Sequence, residues 1–294
     1  MPELPDVEVY RDALGARLLG ATLLGVELRN PFVLRTVEPP LTALAGHAVT
    51  GIERLGKRLV FAFAGDDFLV LHLMIAGRLQ WLPEIKSGKA PARITLAIFT
   101  FSTGALVLTE AGTKRRASLH AVHGRGALAA FDAGGLEPLA ASLHEFALRL
   151  RSENHTAKRA LTAPHLLSGI GNAYSDEILH RAKLSPLAHT QKLDDGEIAR
   201  LYTAVREVLE EWTCRLSEEA GAAFPAKVTA FRPQMAVHGR YKLPCPVCGA
   251  PVQRIVRAEN EANYCARCQT NGVILADRAL SRLLHKGFRR TLDD

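Results

Sequence analysis

The chain has 294 residues, of which 48% are apolar and 23% are charged. This composition indicates a folded globular protein with room for two domains, and it excludes a disordered chain, a collagen and a small disulfide-stabilised protein. No apolar run reaches the ~18–20 residues that cross a bilayer. The acidic start Met1–Asp6 lacks the layout of a signal peptide, so we expect a cytoplasmic protein.

The net charge of +7 is concentrated near the carboxyl end of the chain. Residues 227–290 contain 12 basic and 3 acidic residues, whereas residues 1–226 contain 25 of each. Positive charge concentrated on a neutral body indicates a polyanionic partner, such as nucleic acid or a membrane surface. A solvated basic tail has the same charge pattern, so the charge alone does not decide.

The first half of the chain is predicted to be rich in strands. Apolar residues spaced three to four apart predict an amphipathic helix over residues 3–19. Runs bounded by Gly, Asp or Pro predict the strands Leu23–Arg29, Val49–Leu55, Arg58–Phe63, Phe68–Leu73, Ile94–Phe101 and Ala105–Leu108. Many short strands within about 110 residues predict a β-sandwich or a barrel.

From about residue 136 the pattern becomes helical. Helices are predicted at Leu143–Leu150, Ala157–Ala163, Asn172–Ala182 and Asp195–Glu219. Two glycines precede Asn172, which we expect to cap its helix. A glycine-rich helix start suits phosphate binding, although an ordinary helix–turn–helix corner has the same residues.

Four of the five cysteines form two C-x2-C pairs that are sixteen residues apart. They are Cys245, Cys248, Cys265 and Cys268. This spacing is typical of a zinc ribbon, and Pro251–Arg257 between the pairs has the alternation of a hairpin strand. Two disulfides are the alternative, which a reducing cytosol disfavours. Four thiolates leave no open position for water, so we predict one structural Zn²⁺.

The chain is thus predicted to be rich in strands first, then helical, and then to contain a metal ribbon. This order predicts an α+β fold in at least two domains.

Pro2 is the one unusual candidate nucleophile. We expect Met1 to be removed, which makes Pro2 an N-terminal secondary amine. An α-amino group has a pKa of about 7.7–8, against about 10.4 for lysine, so far more of it is neutral at pH 7. Attack on an aldehyde-level carbon gives an iminium ion, and Glu3 stands beside it as an acid or base. Many proteins begin with Met-Pro, so the dipeptide alone does not decide.

Taken together, the motifs occur in the order of a known family. They are Met1–Glu8, Gly56–Lys57, His72–Leu73, Lys114–Arg116, Gly169–Asn172, Val237–Arg240 and the four-cysteine ribbon. Over nearly its whole length the sequence resembles the formamidopyrimidine-DNA glycosylase / endonuclease VIII family of base-excision repair enzymes. The resemblance implies three domains: a β-sandwich over residues 1–135, a helix–two-turn–helix domain over residues 136–226 and a zinc finger over residues 227–294, with DNA between the two halves.

The resemblance also implies a glycosylase that is an AP lyase. By matching position, Pro2 is the Schiff-base nucleophile on the sugar C1′, Glu3 is the acid that helps to open the sugar, and Lys57 is a proton donor and phosphate contact during β-elimination. The implied DNA-binding residues are His72, Arg93, Arg115, Lys158 and Asn172, where Arg93 stands at a position that is often His. The implied partner is damaged double-stranded DNA, bound at the nucleoid by a monomer without a membrane or a nucleotide cofactor.

Several positions depart from the family pattern. Asn260 replaces a zinc-finger Arg, which puts δ-elimination in doubt, and Ile75 and Ala117 replace the Met and the aromatic residue of the usual wedge. The segment Thr213–Thr229 lacks the usual pattern of a loop that covers 8-oxoguanine. The lesion therefore stays open among an oxidised pyrimidine, a ring-opened purine, a bulkier adduct and an abasic site.

The departures also keep two alternatives open. One is a family relative that binds damaged DNA with weak or no glycosylase activity. The other is a zinc-ribbon module for RNA or protein contact, which would leave Pro2 and Lys57 without a role.

Overall fold

The computed structural model describes residues 1–83, 93–112, 114–225, 228–229, 232–257, 260–275 and 291–292, without the side chains of residues 257 and 260. The chain divides into two compact units. Unit 1 consists of Met1–Ala133 and Trp212–Thr229, and unit 2 of Gly134–Glu211 and Ala230–Asp294. The predicted division into three domains stays a prediction.

Unit 1 contains a helix and two four-stranded antiparallel sheets. Helix α1 is Leu4–Leu18. The first sheet has the order β1 (Leu23–Leu28), β6 (Thr95–Phe101), β7 (Gly104–Glu110) and β5 (Gly77–Leu82). The second has the order β2 (Val49–Leu55), β3 (Arg58–Phe63), β4 (Asp67–His72) and β8 (Ser118–His123).

The two sheets of unit 1 share one hydrophobic core. Phe61 of β3 and Phe99 of β6 belong to the same buried cluster as Val7, Tyr10 and Leu14, which are three to four residues apart on α1. Burying such residues is the main stabilising contribution to a domain of this kind. The predicted β-sandwich is therefore confirmed.

Two strands of unit 1 were not predicted from the sequence. Strand β5 contains Arg78 and Gln80, and strand β8 contains His120, so neither has a strong apolar pattern. Each pairs along its whole length with a neighbouring strand, β5 with β7 and β8 with β4. Pairing with a distant part of the chain makes these segments strands.

Unit 2 contains the helical segment and the cysteine ribbon. The helices are α2 (Leu143–Arg151), α3 (Ala157–Thr162) and α4 (Asn172–Ala182), followed by α5 (Asp195–Ala220), whose residues from Trp212 onward belong to unit 1. The ribbon consists of the antiparallel pair β9 (Val252–Arg257) and β10 (Asn260–Cys265), then α6 (Ala266–Thr270). The α+β class is thus confirmed. Among the described helices, none has both the length and the apolar character needed to cross a bilayer.

Candidate active site and zinc centre

The start of α1 places the first residues of the chain inside unit 1. Glu3 precedes the helix, and its backbone N–H donates to Asp6 Oδ2 at 2.9 Å. Such a contact satisfies one of the amides that a helix start leaves without an intrahelical partner. Pro2 is buried, and Glu3 is only 2% exposed. The two residues predicted to carry the chemistry are thus fixed next to each other in the interior.

Lys57 lies on the two-residue turn between β2 and β3. Gly56, before it, has a φ of +61°, a conformation that glycine adopts without strain. Burial lowers the pKa of the Lys57 ammonium, and the nearby charge of Glu3 acts in the opposite direction. Burial also lowers the pKa of the Met1 amine, which Glu3 raises and Lys57 lowers. The terminal amine, Glu3 and Lys57 therefore share one partly buried neighbourhood.

This neighbourhood has the groups that an amine nucleophile needs. An amine with a lowered pKa is more often neutral at pH 7, and the neutral form is the nucleophile. The Glu3 carboxyl group is close enough to influence both the amine and Lys57. The structure thus brings together the predicted catalytic residues of unit 1.

A second interaction ties α1 to the turn that carries Lys57. Arg54 at the end of β2 forms an ion pair with Glu8 of α1, and the two side chains are 8% and 12% exposed. Arg54 Nη1 also donates to the carbonyl of Gly56 at 3.0 Å. Prediction from the sequence missed this pair. The only sequence feature that could have predicted it is a charged residue three positions before Lys57, and such a residue is too common to indicate an ion pair.

His72 lies at the end of β4, directly opposite Arg58 of β3. The pKa of His72 is lowered to about 4, first by burial and then by the charges of Arg58, Lys57 and His120. The imidazole is therefore neutral at pH 7. His72 thus joins Lys57 in the same part of unit 1.

Arg93 and Arg115 are both exposed and lie next to each other. Arg115 Nη2 donates to the carbonyl of Arg93 at 2.7 Å, which brings two of the predicted DNA-binding residues together. The two positions that replace residues of the usual wedge differ in their exposure to solvent. Ile75 is 59% exposed, whereas Ala117 is 3% exposed and belongs to the core, so Ala117 has no access to a base stack.

In unit 2, Lys158 of α3 is bound to the start of α4. Its Nζ donates to the carbonyl of Asn172 at 2.7 Å, to Ser175 Oγ at 3.0 Å and to Asp176 Oδ1 at 2.5 Å. An ammonium group has three N–H donors, so all three are used inside the protein. The expected helix cap is wrong: Gly171 is the cap residue, and Asn172 is the first residue of the helix.

Two acidic residues of α4 also hold the chain segment before the first cysteine. Asp176 Oδ2 accepts from Asn263 Nδ2 at 3.2 Å and lies 2.8 Å from His238 Nδ1. Glu177 accepts three backbone N–H groups of residues 236–238, at 2.7–2.9 Å. Burial raises the pKa of Glu177, and these hydrogen bonds oppose the rise. Prediction missed both residues, although an Asp-Glu pair within an apolar helix was a usable signal.

The four predicted zinc ligands converge in unit 2. The four Sγ atoms of Cys245, Cys248, Cys265 and Cys268 lie within 4.8 Å of one another, and those of Cys248 and Cys265 are 3.4 Å apart. This exceeds the S–S bond length of about 2.05 Å, so the thiols are not joined. Tetrahedral Zn–S bonds of about 2.3 Å place sulfurs about 3.8 Å apart. The group therefore fits one structural Zn²⁺.

Family models match three successive parts of the chain. The formamidopyrimidine-DNA glycosylase N-terminal domain matches residues 1–118, and the H2TH domain of the same enzymes matches residues 135–216. The zinc finger found in FPG and IleRS matches residues 242–271.

Curated relatives and solved structures match the chain over nearly its full length. Formamidopyrimidine-DNA glycosylases from Heliobacterium modesticaldum and Thermus thermophilus are 34% and 35% identical, and each match covers 92% of this chain and 100% of the relative. The Lactococcus lactis enzyme, solved with DNA that contains an oxidised pyrimidine, has a TM-score of 0.80 at 27% identity over 92% of this chain and 100% of that one. The Thermus thermophilus structure has a TM-score of 0.75 at 33% identity over 91% and 98%. The chain therefore belongs to the formamidopyrimidine-DNA glycosylase / endonuclease VIII family and is a DNA glycosylase of base-excision repair with AP-lyase activity.

Proposed function

We propose that this chain excises a damaged base from double-stranded DNA through an N-terminal Pro2 Schiff base and cuts the strand by β-elimination. The observation that carries the proposal is the burial of Pro2 and Glu3 in the neighbourhood that Glu3 shares with Lys57. In the same neighbourhood, burial lowers the pKa of the Met1 amine. Removal of Met1 moves that amine to Pro2, next to Glu3 in the chain.

The proposed reaction uses these groups in sequence. The neutral Pro2 nitrogen bonds to the sugar C1′ as the glycosidic bond breaks, and the base leaves with the proton that the Pro2 nitrogen loses. Glu3 donates a proton to the ring oxygen as the C1′–O4′ bond breaks, which leaves an iminium ion between Pro2 and C1′. The iminium ion acidifies the C2′ proton, which the Glu3 carboxylate left by the ring opening accepts. The C2′–C3′ double bond forms as the C3′–O bond breaks, and the 3′ phosphate, which Lys57 contacts, leaves. Whether a second elimination follows stays a prediction, because the Asn260 side chain lies outside the described residues.

Phosphate contacts in both units supply the affinity for DNA in this proposal. His72, Arg93 and Arg115 are the candidates in unit 1, and two exposed arginines side by side favour backbone binding. All N–H donors of Lys158 are engaged within the protein. Its proposed role is therefore to hold the helix start at Asn172 in position, rather than to contact a phosphate itself. The amides at that helix start are suited to a phosphate.

The substrate we propose is duplex DNA with an oxidised or otherwise damaged base, handled by a monomer at the cytoplasmic nucleoid. The Lactococcus lactis relative was solved with DNA that contains an oxidised pyrimidine, which supports this class of substrate. Flipping such a base out of the stack costs a few kcal/mol, and least for a base that pairs poorly. Exposed Ile75 is the proposed side chain that fills the gap.

Borohydride trapping tests the nucleophile directly. Full-length, zinc-loaded protein incubated with an abasic duplex and borohydride is expected to give a covalent adduct that maps to the N-terminal peptide. Extending the chain by one residue before Pro2 moves the amine without changing any side chain. This change should reduce strand cutting by roughly 100-fold or more, because the covalent route is lost.

Duplex affinity is the control in this experiment. The extended chain should bind the duplex as tightly as the unextended protein, since no phosphate contact changes. Equal cutting by both proteins, or an adduct that maps elsewhere, would overturn the role of Pro2. Tight binding by the unextended protein without base release or cutting would instead support the DNA-binding alternative.

A further inference from the structure

We propose that unit 2 contains a second metal site, separate from the four cysteines, formed by Glu153, His155 and His165. His155 Nε2 lies 2.6 Å from Glu153 Oε2, and His165 Nε2 lies 3.1 Å from Glu153 Oε1. One ligand atom from each residue lies within 4.8 Å of the other two. Both imidazoles thus direct a ring nitrogen at one carboxylate.

The backbone around this site is held by contacts that do not use the ligand atoms. Fully buried Thr190 donates from Oγ1 to the carbonyl of Glu153 at 2.6 Å and accepts from the N–H of His155 at 3.1 Å. The carbonyl of His165 accepts from Arg149 Nη1 at 2.9 Å. The backbone of the three ligands is thus held in place, and a bound ion would replace the two hydrogen bonds between the imidazoles and the carboxylate.

Two imidazoles and one carboxylate select the class of ion. This donor set suits Zn²⁺, Ni²⁺ or Cu²⁺, whereas Mg²⁺ and Ca²⁺ prefer oxygen ligands alone. His165 is 51% exposed and Glu153 is 41% exposed, so an ion has access from solvent. Three protein ligands also leave a position open for water. Arg149 is a cationic side chain that hydrogen-bonds to one of the ligand residues, through the backbone carbonyl of His165. Its guanidinium donates to two backbone carbonyls in all.

The site lies across the two ends of α3. Residues 153–155 come just before this helix, and His165 comes three residues after its end at Thr162. An ion bound to all three ligands would link these ends and hold the short helix that carries Lys158. A six-residue helix is too short to be stable by itself, so such a link should raise the stability of unit 2.

Metal titration of the zinc-loaded protein tests the site. Wild-type protein should hold two equivalents of Zn²⁺ in total, one at the four cysteines and one added in the titration. His165→Ala should keep the first equivalent and bind the second at least tenfold more weakly. Co²⁺ added to zinc-loaded protein should give d–d absorption without a thiolate-to-cobalt charge-transfer band, because this site has no sulfur ligand. Added Ni²⁺ should raise the melting temperature of wild type but not of the variant.

A matched histidine on the same unit provides the control. His144 is exposed on α2, and His144→Ala should keep both equivalents. A single equivalent in the wild type, or an unchanged second equivalent in His165→Ala, would overturn the proposal.

Discussion

Lys57 and His72 show that the interior of unit 1 sets the charge of its side chains. Burial lowers the pKa of both residues, and each also responds to charged neighbours. A neutral His72 next to cationic Arg58 avoids a second positive charge at the end of β4. The motif identified these residue types, but their ionisation depends on burial, which the sequence does not give.

Replacing His72 should change how stability depends on pH. Its pKa of about 4 lies below the ordinary value of 6.5, so the unfolded chain binds the proton more strongly than the folded chain. Stability should therefore rise with pH between about 4 and 6.5 and be unaffected above that window. When the pH is lowered from about 6.5 to about 4, the free energy of unfolding should fall in the wild type by on the order of 2 kcal/mol more than in His72→Gln.

Urea unfolding followed by tryptophan fluorescence measures this difference. Both tryptophans of the chain, Trp81 and Trp212, belong to unit 1, so the signal reports on the unit that contains His72. The two proteins should have the same pH dependence above pH 7. An equal loss of stability in both proteins down to pH 4 would contradict the low pKa.

At the scale of elements, the Arg54–Glu8 pair fixes the β2–β3 turn relative to α1. Arg54 contacts Glu8 on the helix and the carbonyl of Gly56 on the turn, and both charged side chains are nearly buried. Lys57 follows Gly56 directly, so its position relative to Glu3 depends on this contact. Arg54 is thus a positioning residue for the chemistry of unit 1.

Removing Arg54 should cost both stability and activity. Arg54→Met removes the buried partner of Glu8 and leaves the carboxylate only its ion pair with Arg11 on the same helix, so the cost should be smaller than the about 3–5 kcal/mol of a buried charge without any partner. Strand cutting should fall through kcat more than through KM, because Lys57 and Glu3 lose their relative position while phosphate contacts stay. Urea unfolding and single-turnover cutting of an abasic duplex measure the two effects.

An exposed ion pair of the same unit is the matched control. Arg125 pairs with Glu53, the neighbour of Arg54 on β2, and both side chains are exposed. Exposed pairs contribute little to stability, so Arg125→Met should unfold and cut nearly as wild type does. Equal effects of the two substitutions would show that loss of a positive charge, rather than loss of the buried contact, is responsible.

At the scale of the whole molecule, the ribbon is built onto α4 within unit 2. Gln269 donates to the carbonyl of Leu184 at 2.8 Å, Asn263 donates to Asp176, and His180 Nε2 lies 3.3 Å from Cys245 Sγ. Among its described residues the ribbon has little core of its own: one small buried cluster includes the cysteine ligands, and a second is built on Ile255, Tyr264 and Ala266. Its folding therefore depends on the metal.

Chelation of zinc should strongly weaken duplex binding while unit 1 stays folded. Loss of the ion removes the folding energy of the ribbon, so salt-dependent affinity for a duplex should fall by tenfold or more. Fluorescence of Trp81 and Trp212 should change little, because both lie in unit 1. Added zinc should restore binding.

The His165→Ala variant separates the two proposed metal sites in this experiment. It should lose duplex binding on chelation as the wild type does, because the four-cysteine site is intact in both. Retained affinity after verified loss of the metal would contradict a role of the ribbon in binding.

Prediction from sequence worked best where the signal is local. Strands Val49–Leu55 and Arg58–Phe63 and helix Asn172–Ala182 have the predicted bounds, because each has its own periodicity and its own end signals. Strand β8 was missed, because it depends on pairing with a distant segment of the chain.

The sequence by itself determined the chemistry that depends on residue type and short spacing: the four thiols, Pro2 beside Glu3, and Lys57 after a glycine. The tertiary structure decided how those groups are used. Lys158 is held by Asp176 eighteen residues away, and Asp176 lies beside His238 sixty-two residues away. Spacing along the chain fixes only neighbours within a turn or a hairpin, whereas burial and long-range hydrogen bonds arise when distant segments pack and exclude water.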